Sequence, residues 1–208
     1  MPAVHLRLAV LAGAILLIFG GGAARARPAA SAAPAPASLT PATLLLRTSD
    51  VPGLVKYEAS SGALSLWESA ERENRQRRAL RQNGWLEGAL RTFGQSPTSL
   101  HGVLVIESRA FIFADATGAR AAFTELAPSG LHRVAGTLPG LPGGRIYAHL
   151  DSINGVAELA LTVQFRQANV ISRVMIVGTP GTITRANLAA TSVRQAARVA
   201  QALPAGAV

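Results

Sequence analysis

The sequence predicts one α+β domain in which an antiparallel sheet of about five strands packs against helices. Runs of alternating or β-branched residues fall into a group of two strands and a later group of three. Only three residues separate the last two runs, which is typical of an antiparallel hairpin. Segments with helical periodicity give the order helix, helix, two strands, helix, three strands, helix. This order favours an α+β fold over a doubly wound parallel sheet.

Length and composition set the scale of the domain. The chain has 208 residues, of which 49% are hydrophobic and 15% are charged. A chain of this size holds one domain with attachments, and its apolar fraction is too high for a disordered polymer. Because there is no cysteine, disulfides, thiolate metal sites and thiol nucleophiles are excluded. We expect the domain to span residues 39–204.

The first 26 residues have the parts of a secretory signal peptide. His5 and Arg7 form a short basic start, and Leu8–Phe19 is an apolar stretch that Gly20–Gly22 ends. Cleavage is predicted after Ala26, followed by a Pro/Ala-rich linker over residues 27–38. The apolar stretch is shorter than the roughly 20 residues that span a bilayer. An uncleaved N-terminal anchor is the alternative, and in both cases the domain is secreted or extracytoplasmic.

Two helices are predicted at the start of the domain. The first spans Pro41–Thr48, with Thr40 as its N-cap and Pro41 at the first helical position. Asp50–Gly53 ends it in a turn. The second is predicted over Leu64–Arg81 and ends at Asn83-Gly84.

The second predicted helix carries the densest basic stretch of the chain. Glu71 and Arg75 lie four residues apart, as do Glu73 and Arg77, so both pairs would support a helix surface. The net charge is +9, and it is +7 once Arg7 and Arg25 leave with the signal. A solvated helix face is the simple interpretation, and contact with an anionic membrane surface is the alternative. Nucleic acid is not an expected partner, because no aromatic residues are interspersed among these arginines. The candidate patch comprises Arg72, Arg75, Arg77, Arg78 and Arg81.

A pair of strands and a third helix follow. The strands are predicted over Trp85–Phe93 and Gly102–Ala114, the second being rich in β-branched and aromatic residues. Asp115 is placed to cap a helix over Ala116–Leu126. A Pro/Gly-rich loop over 128–144 completes this part of the chain.

Three strands and a closing helix make up the last part. The strands are predicted over Arg145–Leu150, Val156–Arg166 and Val170–Gly178, and the last two form the hairpin. The helix over Arg185–Leu203 has a clear apolar arc on one side.

Polar side chains share a face on several of these strands. Because side chains alternate along a strand, Glu107 and Arg109 point the same way, as do the polar residues of the later strands. On one side of the sheet they would form a platform for an anionic or hydroxylated ligand, with arginines making bidentate contacts. The simpler alternative is the wet face of an antiparallel sheet. The candidate ligand-binding residues are Glu107, Arg109, Arg145, Tyr147, His149 and Arg166, accompanied by Thr162 and Gln164.

No catalytic or cofactor motif is present. His101, His132 and His149 do not pair at metal-ligand spacing, so neither a metal site nor a cofactor is expected. The chain contains no G-x-S-x-G, G-x-G-x-x-G or P-loop pattern, which argues against α/β-hydrolases and nucleotide sites. An enzymatic alternative is a cell-envelope hydrolase in which Glu107 or Asp151 acts with His149.

Parts of the chain resemble exported proteins of high-GC bacteria. Residues 165–181 (FRQANVISRVMIVGTPG) and 197–203 (ARVAQAL) resemble a strand ending in Arg-x-x-Asn, its apolar hairpin partner and a closing helix. Residues 39–54 (LTPATLLLRTSDVPGL) are similar to the opening helix and turn of those proteins. The general shape resembles the extracellular sensor-like domains of actinobacterial receptor kinases and the small PsbP/Mog1-like sandwiches. The resemblance implies an exported α+β domain and carries over no catalytic residue.

Together these observations favour a non-enzymatic exported domain that binds a small ligand or an envelope partner. The platform and the arginine-rich helix are the two candidate surfaces. Besides the hydrolase, a purely structural module loosely attached to the anionic envelope is the remaining alternative.

Overall fold

Seven strands form one antiparallel sheet in the computed structural model, which describes residues 39–95, 103–153 and 155–204. The strands are β1 (Leu54–Leu64), β2 (Trp85–Gln95), β3 (Val103–Phe113), β4 (His132–Val134), β5 (Arg145–Ile153), β6 (Val156–Gln167) and β7 (Val170–Gly178). Their spatial order is β1-β2-β3-β7-β6-β5-β4, and every neighbouring pair is antiparallel. The α+β class with an antiparallel sheet is therefore confirmed.

Helices pack on both faces of this sheet. They are α1 (Pro41–Leu44), α2 (Leu66–Ser69), α3 (Asn74–Gln82), α4 (Ala116–Glu125) and α5 (Arg185–Ala202), with a 3-10 turn at Thr48–Asp50. Alternation along the strands sends successive side chains to opposite faces. We call the face covered by α1 and α5 the α5 face and the face covered by α2, α3 and α4 the α4 face.

The α5 face carries the larger share of the core. Strand residues such as Phe93, Ile106 and Val163 are fully or nearly fully buried there against α5. The predicted apolar arc of α5 is confirmed, since Leu188 and Val199 are completely buried. A capping box begins α5: Thr184 accepts a hydrogen bond from the Asn187 N–H, and the Asn187 side chain accepts one from the Thr184 N–H.

The α4 face carries a second apolar cluster. Phe111 and Phe113 of β3 and Ile171 of β7 are completely buried there, against α2, α3 and α4. Asp115 caps α4 as predicted, because its side chain accepts a hydrogen bond from the Gly118 N–H at 2.7 Å. This cluster fills only one end of the face, so the polar strand residues lie beside it.

The predicted number of about five strands is too low. Strand β1 was not predicted because its sequence, LVKYEASSGAL, does not alternate. Its pairing with β2 shifts register between Tyr57 and Gly62. Strand β4 lies inside the segment predicted as a loop, and at three residues it is too short to leave a periodic signal. Both are edge strands, where burial constrains the sequence least.

The predicted helices at the start of the domain are also corrected. The first ends at Leu44 rather than near Thr48. The second is not continuous over Leu64–Arg81: its first residue belongs to β1, and α2 and α3 are separated by a turn. Within that turn Glu71 and Arg72 adopt left-handed backbone conformations, with φ of 48° and 62°. A Cβ disfavours that conformation, so surrounding contacts must hold it.

The predicted signal peptide and linker, residues 1–38, lie outside the described residues, as does His101. None of the helices in the described part of the chain has the length and apolar character needed to cross a membrane.

Candidate functional site

The strand register places the predicted platform residues on one face of the sheet, the α4 face. Glu107 lies opposite Met175 of β7, which in turn aligns with Thr162 of β6 and Tyr147 of β5. One step along the sheet, a second row runs through Arg109, Arg173, Gln164 and Arg145. Two cross-strand rows, polar except for Met175, therefore lie on the α4 face.

Part of this platform attaches α4 to the sheet and is not open for binding. The Gln164 amide donates to the Phe123 carbonyl at 2.8 Å, and Gln164 itself is completely buried. The Arg145 guanidinium lies 4.7 Å from the centre of the Phe123 ring and donates to the Thr124 hydroxyl at 3.2 Å. Tyr147 is also buried. Thr162 and Gln164, which accompany the predicted platform, are both completely buried.

The residues of the hydrolase alternative are not brought together. Strands β7 and β6 separate β3, which carries Glu107, from β5, which carries Asp151 and His149. Three strand spacings of about 4.8 Å amount to roughly 14 Å. His149 lies 3.8 Å from Asp151, but both side chains are well exposed, at 42% and 62%.

Of the predicted platform, Glu107, Arg109 and Thr162 line a cavity of about 410 Å³, which we call the sheet-face cavity, whereas His149 does not. Its floor is formed by β3, β6 and β7, and its walls by the α2–α3 turn and the loop after α4. Its lining residues include Glu68, Glu71, Arg72, Glu107, Arg109, Ser129, Thr162 and Arg173, together with Leu64, Leu90, Pro128, Leu131 and Met175.

A connected set of ion pairs runs along one wall of this cavity. Glu71 accepts from both Arg173 and Arg109, the latter at 3.1 Å. Arg109 also donates to Glu107 at 2.9 Å. The Ser129 N–H donates to the second oxygen of Glu71 at 2.7 Å. These bonds explain the left-handed backbone at Glu71, because that conformation aims the carboxylate at the sheet.

Arg173 is the most deeply buried member of this ion-pair network, with 4% of its surface exposed. It donates to the Leu126 carbonyl at 2.6 Å and to the Gln164 side chain at 3.0 Å. Arg173 therefore connects Glu71 in the α2–α3 turn to the C-terminal end of α4. A buried charge of this kind requires a compensating partner, which Glu71 provides.

Burial and charge act in opposite directions on Glu71. Burial alone would raise the pKa of its carboxyl group. The adjacent Arg173 and the Ser129 N–H outweigh this effect, so the pKa of Glu71 lies below its ordinary value of 4.5. Glu71 is thus ionised at neutral pH.

The cavity is balanced in charge and offers both donors and acceptors. Three arginines and three glutamates line it. Two buried polar atoms, the Thr162 hydroxyl and Arg173 Nε, make no hydrogen bond with any described residue. Leucines and Met175 supply the apolar part of the wall. Such a surface suits a ligand with several hydroxyl groups and a compact apolar face.

The arginine-rich patch of the sequence analysis lies on α3 and on the turn before it. Arg75, Arg78 and Arg81 are exposed and form no ion pair within the described part of the chain. Arg77 instead lies over the ring of Trp67, 5.1 Å from its centre. The expected pair of Glu71 with Arg75 is absent, because Glu71 precedes α3 and bonds to the sheet.

Arg166 lies apart from the sheet-face cavity. It is at the far end of β6 and donates to the Ala168 carbonyl at 2.9 Å. Among the residues that the structure describes, no group of three or more His, Asp or Glu could hold a metal ion.

Sequence reasoning did not identify Arg173, Glu71 or Ser129 as site residues. Arg173 interrupts the apolar strand VISRVMIV, and a lone arginine in a buried strand signals an acidic partner. Glu71 could not be identified as that partner, because the two are 102 residues apart and the turn was predicted as helix.

No protein-family model matches this chain, and no curated protein does. Among solved structures, the crystal structure of the extracellular domain of PknH from Mycobacterium tuberculosis is similar to it. The two share 15% identity with a TM-score of 0.45, over 76% of this chain and 94% of that chain. A similarity this distant assigns neither a ligand nor an activity to the present chain.

Proposed function

We propose that this chain is a non-enzymatic, extracytoplasmic domain that binds a neutral, hydroxyl-rich small molecule in the sheet-face cavity. The observation that carries the proposal is the ion-pair network of Glu71, Arg173, Arg109 and Glu107 along the cavity wall. The extracytoplasmic location depends on the predicted signal peptide.

The chemistry of the wall selects among ligands. A carboxylate accepts hydrogen bonds from hydroxyl groups, whereas a guanidinium donates to them, so adjacent Glu and Arg side chains complement a polyol. An anionic ligand would instead have to approach Glu71 and Glu107, whose charges already neutralise the arginines. Of the two ligand classes predicted from the sequence, the hydroxylated class is therefore favoured.

The test is a calorimetric titration of the purified protein with a panel of neutral sugars and polyols, beside phosphate and citrate as anionic probes. At least one neutral probe is expected to bind. Its affinity should fall about tenfold or more in Glu107→Gln and in Arg72→Gln, which each remove one charged hydrogen-bonding group from the cavity.

Two neighbouring substitutions serve as controls. Glu73→Gln and Arg75→Gln make the same chemical changes at exposed positions that do not line the cavity. Binding of the anions alone, or equal losses in the control variants, would contradict the proposal.

A second candidate function is contact with an anionic membrane through α3. It is favoured by the exposed Arg75, Arg78 and Arg81, which form no ion pair with any described residue, and by the stacking of Arg77 on the exposed Trp67. Arginines beside a partly exposed tryptophan suit the interface of a bilayer.

Vesicles of phosphatidylglycerol and phosphatidylcholine test this second function by co-sedimentation. Arg75→Gln/Arg78→Gln should reduce binding more than Arg133→Gln/Arg185→Gln, which removes the same charge from other exposed positions. Binding that persists at ~1 M salt would contradict an electrostatic contact, since the screening length there is about 3 Å.

A further inference from the structure

A second cavity, of about 420 Å³, lies at the β6–β7 hairpin, and we call it the hairpin cavity. It is bounded by the end of β6, the N-terminal half of α4, the loop before β5 and one position of α5. Its volume falls in the roughly 300–1,000 Å³ range of small-molecule sites. Its lining residues are Ala116, Arg120, Gly140, Leu141, Pro142, Phe165, Arg166, Gln167, Ala168 and Ala196.

The charge of this cavity differs from that of the sheet-face cavity. Arg120 and Arg166 both line it, and none of its described lining residues is an aspartate or glutamate. Arg120 forms no hydrogen bond or ion pair with any described residue. The cavity therefore carries two positive charges that its own walls do not neutralise.

Arg166 is held in position from within the hairpin. Ala168 adopts a left-handed conformation, with φ of 47°, and its carbonyl accepts from Arg166 at 2.9 Å. This bond uses one of the five N–H donors of the guanidinium. The side chain is thereby fixed while most of its donors remain available for an anion.

The opposite wall of the hairpin cavity is apolar. Leu141, Phe165 and Ala196 are buried and belong to the core cluster of the α5 face, and Pro142 adjoins them. A purely inorganic anion would leave this wall uncovered. A ligand that satisfies both walls has an anionic head and an apolar body.

We infer that the hairpin cavity binds an amphipathic carboxylate of the medium-chain fatty-acid class. Arg166 and Arg120 bind the carboxylate, and the chain lies along Leu141, Pro142 and Phe165. Bidentate guanidinium–carboxylate hydrogen bonds supply selectivity for the ionised head group.

Decanoate and decanol distinguish this inference from simple hydrophobic binding, because they share one apolar chain and differ in the head group. Both are titrated into the full chain calorimetrically, below the concentration at which decanoate forms micelles. Decanoate should bind at least about tenfold more tightly than decanol, as expected for charged hydrogen bonds. Equal affinities, or no binding of decanoate, would overturn the inference.

Matched double variants locate the site. Arg120→Gln/Arg166→Gln should lose about tenfold or more in decanoate affinity. Arg133→Gln/Arg185→Gln, with the same change in net charge at positions outside the cavity, should bind as the parent chain does. Circular dichroism checks that each variant is folded. If the Arg166 substitution impairs folding, Arg120→Gln alone gives the answer, since Arg120 is exposed; unchanged affinity in it would refute the site.

Discussion

At the scale of single residues, the contact between Glu71 and Arg173 holds the α2–α3 turn against the α4 face of the sheet. Both side chains are mostly removed from water, with 16% and 4% of their surface exposed. Charges in such surroundings stabilise a fold only while they are paired. Removing one partner should therefore cost more stability than the attraction within the pair contributes, because the other charge would stay buried and unpaired.

Replacing Glu71 with Gln should lower the free energy of unfolding by about 3–5 kcal/mol, because Arg173 would then be buried without a countercharge. Urea denaturation measures this change. Glu73→Gln makes the same substitution on an exposed neighbour, and it should stay within about 0.5 kcal/mol of the parent chain. Comparable losses in the two variants would show that the ion pair is not a special determinant of stability.

Stability should decrease as the pH falls below about 4.5, the ordinary pKa of a glutamate. The pKa of Glu71 is lowered in the folded protein: burial opposes ionisation, but Arg173 and Ser129 favour it more strongly. The unfolded chain thus binds protons first, so acid favours unfolding. Asp50 acts in the same direction, since its hydrogen bonds with Arg198 and the Arg47 N–H outweigh burial and lower its pKa.

Unfolding in urea at a series of pH values between about 3 and 6 measures this dependence. The double variant Glu71→Gln/Asp50→Asn should show a shallower slope than the parent chain. An unchanged slope would assign the acid sensitivity to other carboxylates.

At the scale of elements, α5 and the N-terminal segment are joined to β3 through a buried chain of polar groups. The Leu46 N–H donates to the Ser108 hydroxyl at 3.0 Å, and that hydroxyl donates to the Gln195 side chain at 2.8 Å. Gln195 then donates to the Arg109 carbonyl at 2.9 Å. Ser108, Leu46 and Gln195 are all completely buried. The chain thus fixes how three separate segments meet on the α5 face.

Ser108→Ala should destabilise the protein by roughly 2–4 kcal/mol, because it leaves a buried N–H and a buried amide oxygen without partners. Ser60→Ala, at an exposed position of β1, is the control and should change stability by less than about 0.5 kcal/mol. Equal effects in thermal or urea unfolding would mean that water or a rearranged side chain replaces the lost hydroxyl.

The elements that could be predicted from the sequence are those with a strong periodic or capping signal. Strand β6 alternates, β3 and β7 are rich in β-branched and other apolar residues, and Asp115 and Thr184 stand at helix starts. The break between α2 and α3 could not be predicted. Residues 70–73 carry no glycine or proline, and the conformation there depends on contacts with β3 and β7. Local sequence signals do not report contacts of that range.

The sequence predicted which residues share the polar face of the sheet, but it did not predict the cavity that lies on that face. Alternation placed Glu107 and Arg109 together, and the structure keeps them 2.9 Å apart. Arg145 and Tyr147 share that face but are used for packing α4. Which polar residues of a face stay accessible depends on where a helix from elsewhere in the chain lies. That information is absent from strand periodicity.

At the scale of the whole molecule, the same sheet contributes side chains to the apolar clusters on both of its faces. Ile112 of β3 is buried on the α5 face, and its neighbours Phe111 and Phe113 are buried on the α4 face. If the helices on one face detached, apolar side chains of these strands would be exposed to water. The same strands also pack against the helices on the other face. The two layers are expected to unfold together.

Denaturation should therefore follow one transition when monitored by two probes. Tryptophan fluorescence reports the α4 side, where Trp67 and Trp85 lie, whereas far-ultraviolet circular dichroism is sensitive to the long helix α5. Coincident midpoints are expected from a cooperative unit. Separate midpoints would show that one helical layer can detach while the sheet persists.

The shape of the sheet's two borders has a consequence for solubility. An outer strand with free N–H and carbonyl groups can recruit a strand from another molecule and start fibril growth. Here one border, β4, is only three residues long, and the other is interrupted between Tyr57 and Gly62. Neither offers a long regular template. The two borders therefore give the strands of other molecules little to pair with.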